Sequence, residues 1–199
     1  ATDADGDSLT YSLSGTDASS FSIGSGSGVI TFNSAPDYET KTSYSITVSV
    51  SDGTNSVTQS VTVNITNVND NSPEITSSST FSAAENQTDV GTVTATDADG
   101  DSLTFALSGT DASSLSIGSS SGVITFNSAP DYETKTSYSI TVNVSDGTNT
   151  TNQSITINIT NLNDNSPEIT SSSTFSAAEN QTSVGTVTAT DADGDSLTF

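Results

Sequence analysis

A chain of 199 residues with 24 acids against two lysines, and with neither arginine nor histidine, has a formal net charge of −22. Neutralising phosphates requires clustered Lys or Arg, so nucleic acid is excluded as a partner, and an anionic membrane surface is disfavoured for the same reason. Cysteine is absent as well, which removes disulfides and thiol chemistry; with histidine also missing, the common general bases, nucleophile triads and zinc sites cannot be built, carboxylate-only catalysis stays formally open, and the chain is read as no enzyme.

The same stretches return at a fixed spacing. ATDADGDSLT starts at Ala1 and Ala95, and ATDADGDSLTF starts at Ala189; NDNSPEITSSSTFSAAENQT starts at Asn69 and Asn163. This spacing of 94 residues is a domain rather than a solenoid turn. The copies differ mildly: Tyr11 becomes Phe105, Phe21 becomes Leu115, and Val61 becomes Ile155, swaps that keep the apolar character a core requires. With boundaries near NDNSPEI, the chain is expected to hold one repeat without its opening strand over residues 1–71. A complete repeat follows over 72–165, and the opening of a third over 166–199.

In chain order, the complete repeat opens with a strand at Thr80–Ala84, and Val90, Val93 and Ala95 lead into the DADGD turn. Leu103, Phe105 and Leu107 follow with the period-two alternation of a half-buried strand. A single helical turn is expected near Asp111–Ser114, with Asp111 (Asp17 in the first copy) as its cap. Ile117 and residues 123–126 flank a Gly/Ser-rich turn and read as a hairpin. After PDYE, the residues Tyr138, Ile140, Val142 and Val144 alternate with Ser139, Thr141 and Asn143, and Ile155, Ile157 and Ile159 alternate in QSITINIT. About seven short strands per period predict an all-β fold of tandem seven-strand Greek-key sandwiches.

The acids recur in five elements: Glu85 in AAEN; Asp97, Asp99 and Asp101 in DADGD; Asp131 and Glu133 in PDYE; Asp146 in VSD; and the NDN linker. Strand ends gather at the two poles of a sandwich, so DADGD and VSD can share one pole and AAEN and PDYE the other. Acids converging at a junction repel one another strongly unless a cation joins them. Calcium takes six to eight oxygen ligands from carboxylates, amides and carbonyls, and that is the donor set assembled here. An EF-hand does not fit, because Gly100 stands fourth rather than sixth and Ser108 occupies the twelfth place. No GGxGxD array is present either.

The run AAEN…VTATDADGD…FALSG…GVITF…PDYE…YSITVNVSDG…ITINITNLNDNSPEI resembles a cadherin repeat along its whole length. The resemblance implies about three Ca2+ ions per interdomain junction. Carried over motif by motif, the first junction would use Asp37, Glu39, Asn69, Asp70, Asn71, Asp97, Asp99 and Asp146. The second would use Glu85, Asp131, Glu133, Asn163, Asp164, Asn165, Asp191 and Asp193. Two departures stand out. Asn67 and Asn161 begin the linkers where the family has Asp, and Asp101 and Asp195 are extra acids able to replace a backbone ligand.

These features predict an extracellular, calcium-stiffened stalk or adhesin at a cell surface, of a kind that suits a prokaryotic protein varying in repeat number. Its partners would be neighbouring repeats of the same chain and, through homophilic or fibre contacts, other copies. An extracellular filament built from the repeats is the alternative. A carbohydrate-binding module is disfavoured, because the few aromatics fall on core-facing positions. Lys41 and Lys135 are expected to be solvated, Tyr38 and Tyr132 to pack on the core, and the Asn-x-Ser/Thr sequons to reflect composition.

Overall fold

Alternating aliphatic and hydroxyl side chains build the longest strands, because a strand turns successive residues to opposite faces. The computed structural model describes residues Ala1–Phe199, which divide into two units, Ala1–Asp70 and Asn71–Phe199. The first unit contains β1 (Thr10–Ser14), β2 (Phe21–Ile23), β3 (Ile30–Phe32), β4 (Ser43–Ser51) and β5 (Ser56–Asn64). β1, β4 and β5 form one antiparallel sheet, and β2 and β3 pair as a hairpin.

The second unit continues with β6 (Glu74–Ile75), β7 (Thr80–Ala84), β8 (Asp89–Thr92), β9 (Ala95–Thr96) and β10 (Thr104–Ser108). It goes on through β11 (Leu115–Ile117), β12 (Val123–Phe126), β13 (Ser137–Ser145) and β14 (Thr150–Thr160), and β15 (Glu168–Ile169) and β16 (Ala189–Thr190) begin the next repeat. One sheet has the order β10-β13-β14-β7 and the other β11-β12-β8. The fold is therefore a β-sandwich. Its seven strand positions include two that are each broken in two: β6 and β7 share the first, β8 and β9 the second. β6 pairs with β9, after which the chain changes sheets and β7 runs parallel to β14. The sequence pattern gave no sign of this parallel closure.

The register explains the core. Tyr138 lies opposite Ile157 and Ile140 opposite Ile155, so the apolar residues of β13 and β14 share one face. Ile140, Val142, Val144, Ile155 and Ile157 are buried there with Val93, Ile124 and Phe126. Each fully buried Val or Ile stabilises the fold by about 1.5–3 kcal/mol. Where β12 meets β8, Gly122 sits at φ +68°, and a Cβ there would lie 2.2 Å from the Val93 carbonyl oxygen. Glycine is the residue this close approach tolerates.

The single helical turn forms at Ala112–Ser114, but Asp111 makes no side-chain cap hydrogen bond to it. Instead its carboxylate pairs with the Lys135 ammonium and accepts the Ser139 N–H at 2.8 Å. Lys135 Nζ also lies 4.4 Å from the centre of the Tyr138 ring. The first unit repeats the arrangement with Asp17, Lys41, Ser45 and Tyr44. The capping aspartate and the solvated lysine of the sequence reading are thus both corrected. β13 passes beside the turn and presents an N–H and an aromatic face, and these hold the carboxylate and ammonium together. Tyr132 packs against the core, half-buried.

Candidate metal centre

At the end of β7 the chain reaches Glu85, which is 3 % exposed. Asn86 then adopts a left-handed φ of +63° and donates its N–H to the Pro130 carbonyl at 3.0 Å, a conformation Asn tolerates better than most residues. This turn lays AAEN against PDYE. Glu85 Oε2 accepts the Tyr132 N–H at 2.9 Å, and Oε1 accepts the Leu162 N–H at 2.6 Å. Two motifs and the following linker therefore meet at one end of the repeat.

The linker is fastened to the DADGD turn beyond it. Asp193 Oδ2 accepts the N–H groups of Asn165 at 2.8 Å and Asp164 at 3.1 Å. The Asn165 side-chain amide donates to Asp193 Oδ1 at 3.0 Å, to Asp164 Oδ1 at 2.8 Å and to Glu133 Oε2 at 3.3 Å. Asn163 bonds Asp195 through its amide, and Asn161 Nδ2 reaches the Asp193 carbonyl at 2.9 Å. One carboxylate oxygen each from Glu85, Glu133, Asp164 and Asp193 lie within 4.8 Å of one another. Asp193 also belongs to a second such group with Asp191 and Asp195, shaped by N–H donation from Asp193 and Asp195 to Asp191 Oδ1 at 3.1 and 3.4 Å.

Asp131 lies outside both groups. Its carboxylate closes its own turn, accepting from Thr134 N at 3.2 Å and Thr134 Oγ1 at 2.9 Å. These bonds hold its pKa below the usual carboxylate range. Asp193 is also lowered, first by the Asn165 amide. Glu133 is pushed up, by local loss of solvent first and then by the neighbouring Asp193 and Glu85 carboxylates.

At the other end of this repeat, Asp99 accepts the backbone and side-chain N–H groups of Asn71 at 2.8 and 3.0 Å. Asp146, 9 % exposed, accepts from Thr148 N at 2.6 Å and Asn149 N at 2.5 Å, and Asn149 Nδ2 donates to the Asn71 carbonyl at 2.9 Å. DADGD and VSD thus share this pole through Asn71. Asp97, Asp99 and Asp101 offer oxygens within 4.8 Å of one another. In the first unit, Asp37 accepts from Glu39 N at 3.0 Å and Thr40 Oγ1 at 2.9 Å, and Asn69 and Asp70 end the unit. Asn86, which bonds Asp164, and Asn149 were missed as contributors to these ends. The signal for both was available, since Asn86 follows Glu85 directly and Asn149 stands three residues after Asp146, each in a recurring stretch.

These residues fit a hard divalent cation. Asp97 Oδ2 is buried and has no hydrogen-bond partner, and leaving a charged oxygen in that state is costly. No arginine is present to answer the acids, and both lysines are committed to Asp17 and Asp111. The donors are carboxylate, amide and carbonyl oxygens, the set that suits Ca2+.

Comparison with known proteins agrees with this chemistry. The family model described as Cadherin domain matches residues 1–66 and 79–160. The chain belongs to the cadherin family. It is 33% identical over 154 residues to human (Homo sapiens) Cadherin-23, covering 73% of this chain and 5% of the relative. To human Protocadherin Fat 4 it is 35% identical over 145 residues, covering 67% of this chain and 3% of the relative. The chain thus spans a small fraction of the cadherins it matches. Among solved structures, the protocadherin GammaB4 extracellular domain superposes with a TM-score of 0.76 at 26% identity, covering 93% of this chain and 34% of that one. The protocadherin gammaB7 EC3-6 cis-dimer structure gives a TM-score of 0.78 at 25% identity, covering 92% and 52%. Cadherin repeats are adhesion-type extracellular modules, and calcium binding is a general property of cadherin domains.

Proposed function

We propose that this chain is a segment of a calcium-dependent extracellular array acting as a stiff stalk or adhesin in cell attachment. The observation that carries the reading is the convergence of Glu85 and Glu133 from one repeat, Asp164 from the linker and Asp193 from the next repeat. Three separate segments thereby contribute like charges to one small volume. A bound calcium ion supplies the positive charge that offsets their repulsion. Glu85 positions Tyr132 and Leu162, and Asn165 aims the Asp193 and Asp164 carboxylates. Asn163, Asp191 and Asp195 complete the ligand set of this junction, and Asp131 shapes the PDYE turn or serves as a ligand. About three ions per junction is the family expectation. Because the acids recur at the repeat period, the reading extends along the sequence. Calcium titration by isothermal calorimetry tests it: uptake of two or more ions by the intact chain supports it, and no saturable uptake overturns it.

A further inference from the structure

Charge is distributed unevenly over this chain. Although its formal net charge is −22, no Asp, Glu or Lys lies in β7, β10, β13 or β14. These four strands form one sheet of the complete repeat, in the order β10-β13-β14-β7. One face of it packs on the core. The other is open, and its rows follow from the register: Asn143 lies opposite Asn152, Thr141 opposite Ser154, and Ser139 opposite Thr156. Every residue on this outer face is Ser, Thr, Asn or Ala.

The first unit repeats the pattern. Its strands β1, β4 and β5 contain no charged residue, and they turn only Ser, Thr and Asn to the face opposite their apolar residues. The acids lie instead in the turns, the linkers and the short strands β6, β8 and β15.

We propose that this uncharged outer face is a lateral contact on which two copies of the chain pair. Copies of like net charge repel, and the repulsion is least where they meet on a face that holds no acid. Depletion of charged residues also sets the centre of an interface apart from the rest of a surface. A hydroxyl both donates and accepts, as does the Asn amide, so the face can pair with itself and leave no polar group unpaired. The area suffices. Nine residues of β13 at about 3.4 Å each, across strands about 4.8 Å apart, give roughly 500–600 Å² per copy. Two copies then bury at most about 1,000–1,200 Å², against the roughly 1,000 Å² that a specific contact needs. The pairing of one repeat is therefore weak. Both partners use the same face, so the contact is two-fold and closes as a pair. It does not depend on calcium, whose candidate ligands lie at the ends of the repeat.

The test uses the full chain in chelator at about 0.15 M salt, where the screening length is about 8 Å. Sedimentation velocity should show an average mass rising with concentration above the 20.1 kDa of one chain. More salt should strengthen the association, because it screens repulsion and no ion pair is broken. Ser60→Asp with Ser154→Asp puts an acid in the middle of each face and should weaken association about tenfold or more. Ser34→Asp with Ser128→Asp adds the same charge in exposed bends after β3 and β12 and should leave it unchanged. Both variants should unfold at the temperature of the unchanged chain. In the unchanged chain, backbone NMR shifts on dilution should concentrate in β13 and β14. Chains that stay single at every concentration overturn the proposal. Association that falls with salt, that both variants weaken alike or that neither weakens overturns it too. Dilution shifts confined to the linkers or to β8, β11 and β12 do the same, because another surface is then responsible.

Discussion

Glu85 bridges two segments to which it does not belong, holding the Tyr132 N–H on Oε2 at 2.9 Å and the Leu162 N–H on Oε1 at 2.6 Å. The end of β7, the PDYE turn and the linker are thereby joined by one buried carboxylate. Glu85→Ala leaves two N–H donors without their acceptor and should cost about 1–3 kcal/mol even in chelator. In calcium the loss should be larger, because a proposed ligand disappears as well. Chemical denaturation under both conditions measures the two terms separately.

Asp193 belongs to both acid groups at the second linker, whereas Asp131 is committed to Thr134. Asp193→Asn should therefore lower calcium stoichiometry or affinity at this junction by about tenfold or more, an energy of roughly 1.4 kcal/mol. Asp131→Asn should change it less and mainly loosen the PDYE turn. Calorimetric titration of the two variants side by side makes the comparison, and equal effects would contradict the geometry.

A third expectation concerns acid. The Lys135 ammonium, followed by the Ser139 N–H, holds the Asp111 carboxyl below its usual range. The unfolded chain therefore takes up this proton first. The stability it contributes is complete above about pH 4 and is lost as pH falls through the lower folded value. Asp111→Asn should cost about 1 kcal/mol near neutrality, at the low end because the lysine is partly open to solvent. The difference from wild type should vanish as pH is taken well below 4 in calcium-free buffer.

The strands built on alternation were legible, because in β13 and β14 burial follows the apolar period residue by residue. The two-residue pairs β6–β9 and β15–β16 are too short to carry a period. The parallel β7–β14 pairing joins residues 76 positions apart, as in Thr80 with Thr156, and leaves no local trace. The same limit hid the Asp111–Lys135 pair, since the sequence shows two charged residues in separate turns. Recurrence of acids marked the ends where AAEN meets PDYE and where DADGD meets VSD. It gave no means of separating Asp193, which faces other acids, from Asp131, which folds back on its own turn.

Ile157 is buried beneath β7. Ile157→Ala should cost about 2–5 kcal/mol in the unfolding of the second unit, read by denaturant unfolding and native-state hydrogen exchange.

If the acids at the linker hold calcium as proposed, folding stability depends on the ion. Thermal unfolding of the intact chain in calcium and in chelator tests this most directly. At calcium about 100 times its dissociation constant, a single site adds roughly 2.7 kcal/mol, which for a domain of this size raises the midpoint by on the order of 10 °C. A rise of that order, lost in chelator and reduced in Asp193→Asn, is the predicted result. Midpoints that coincide in calcium and chelator would contradict the account and leave the acids as surface charge.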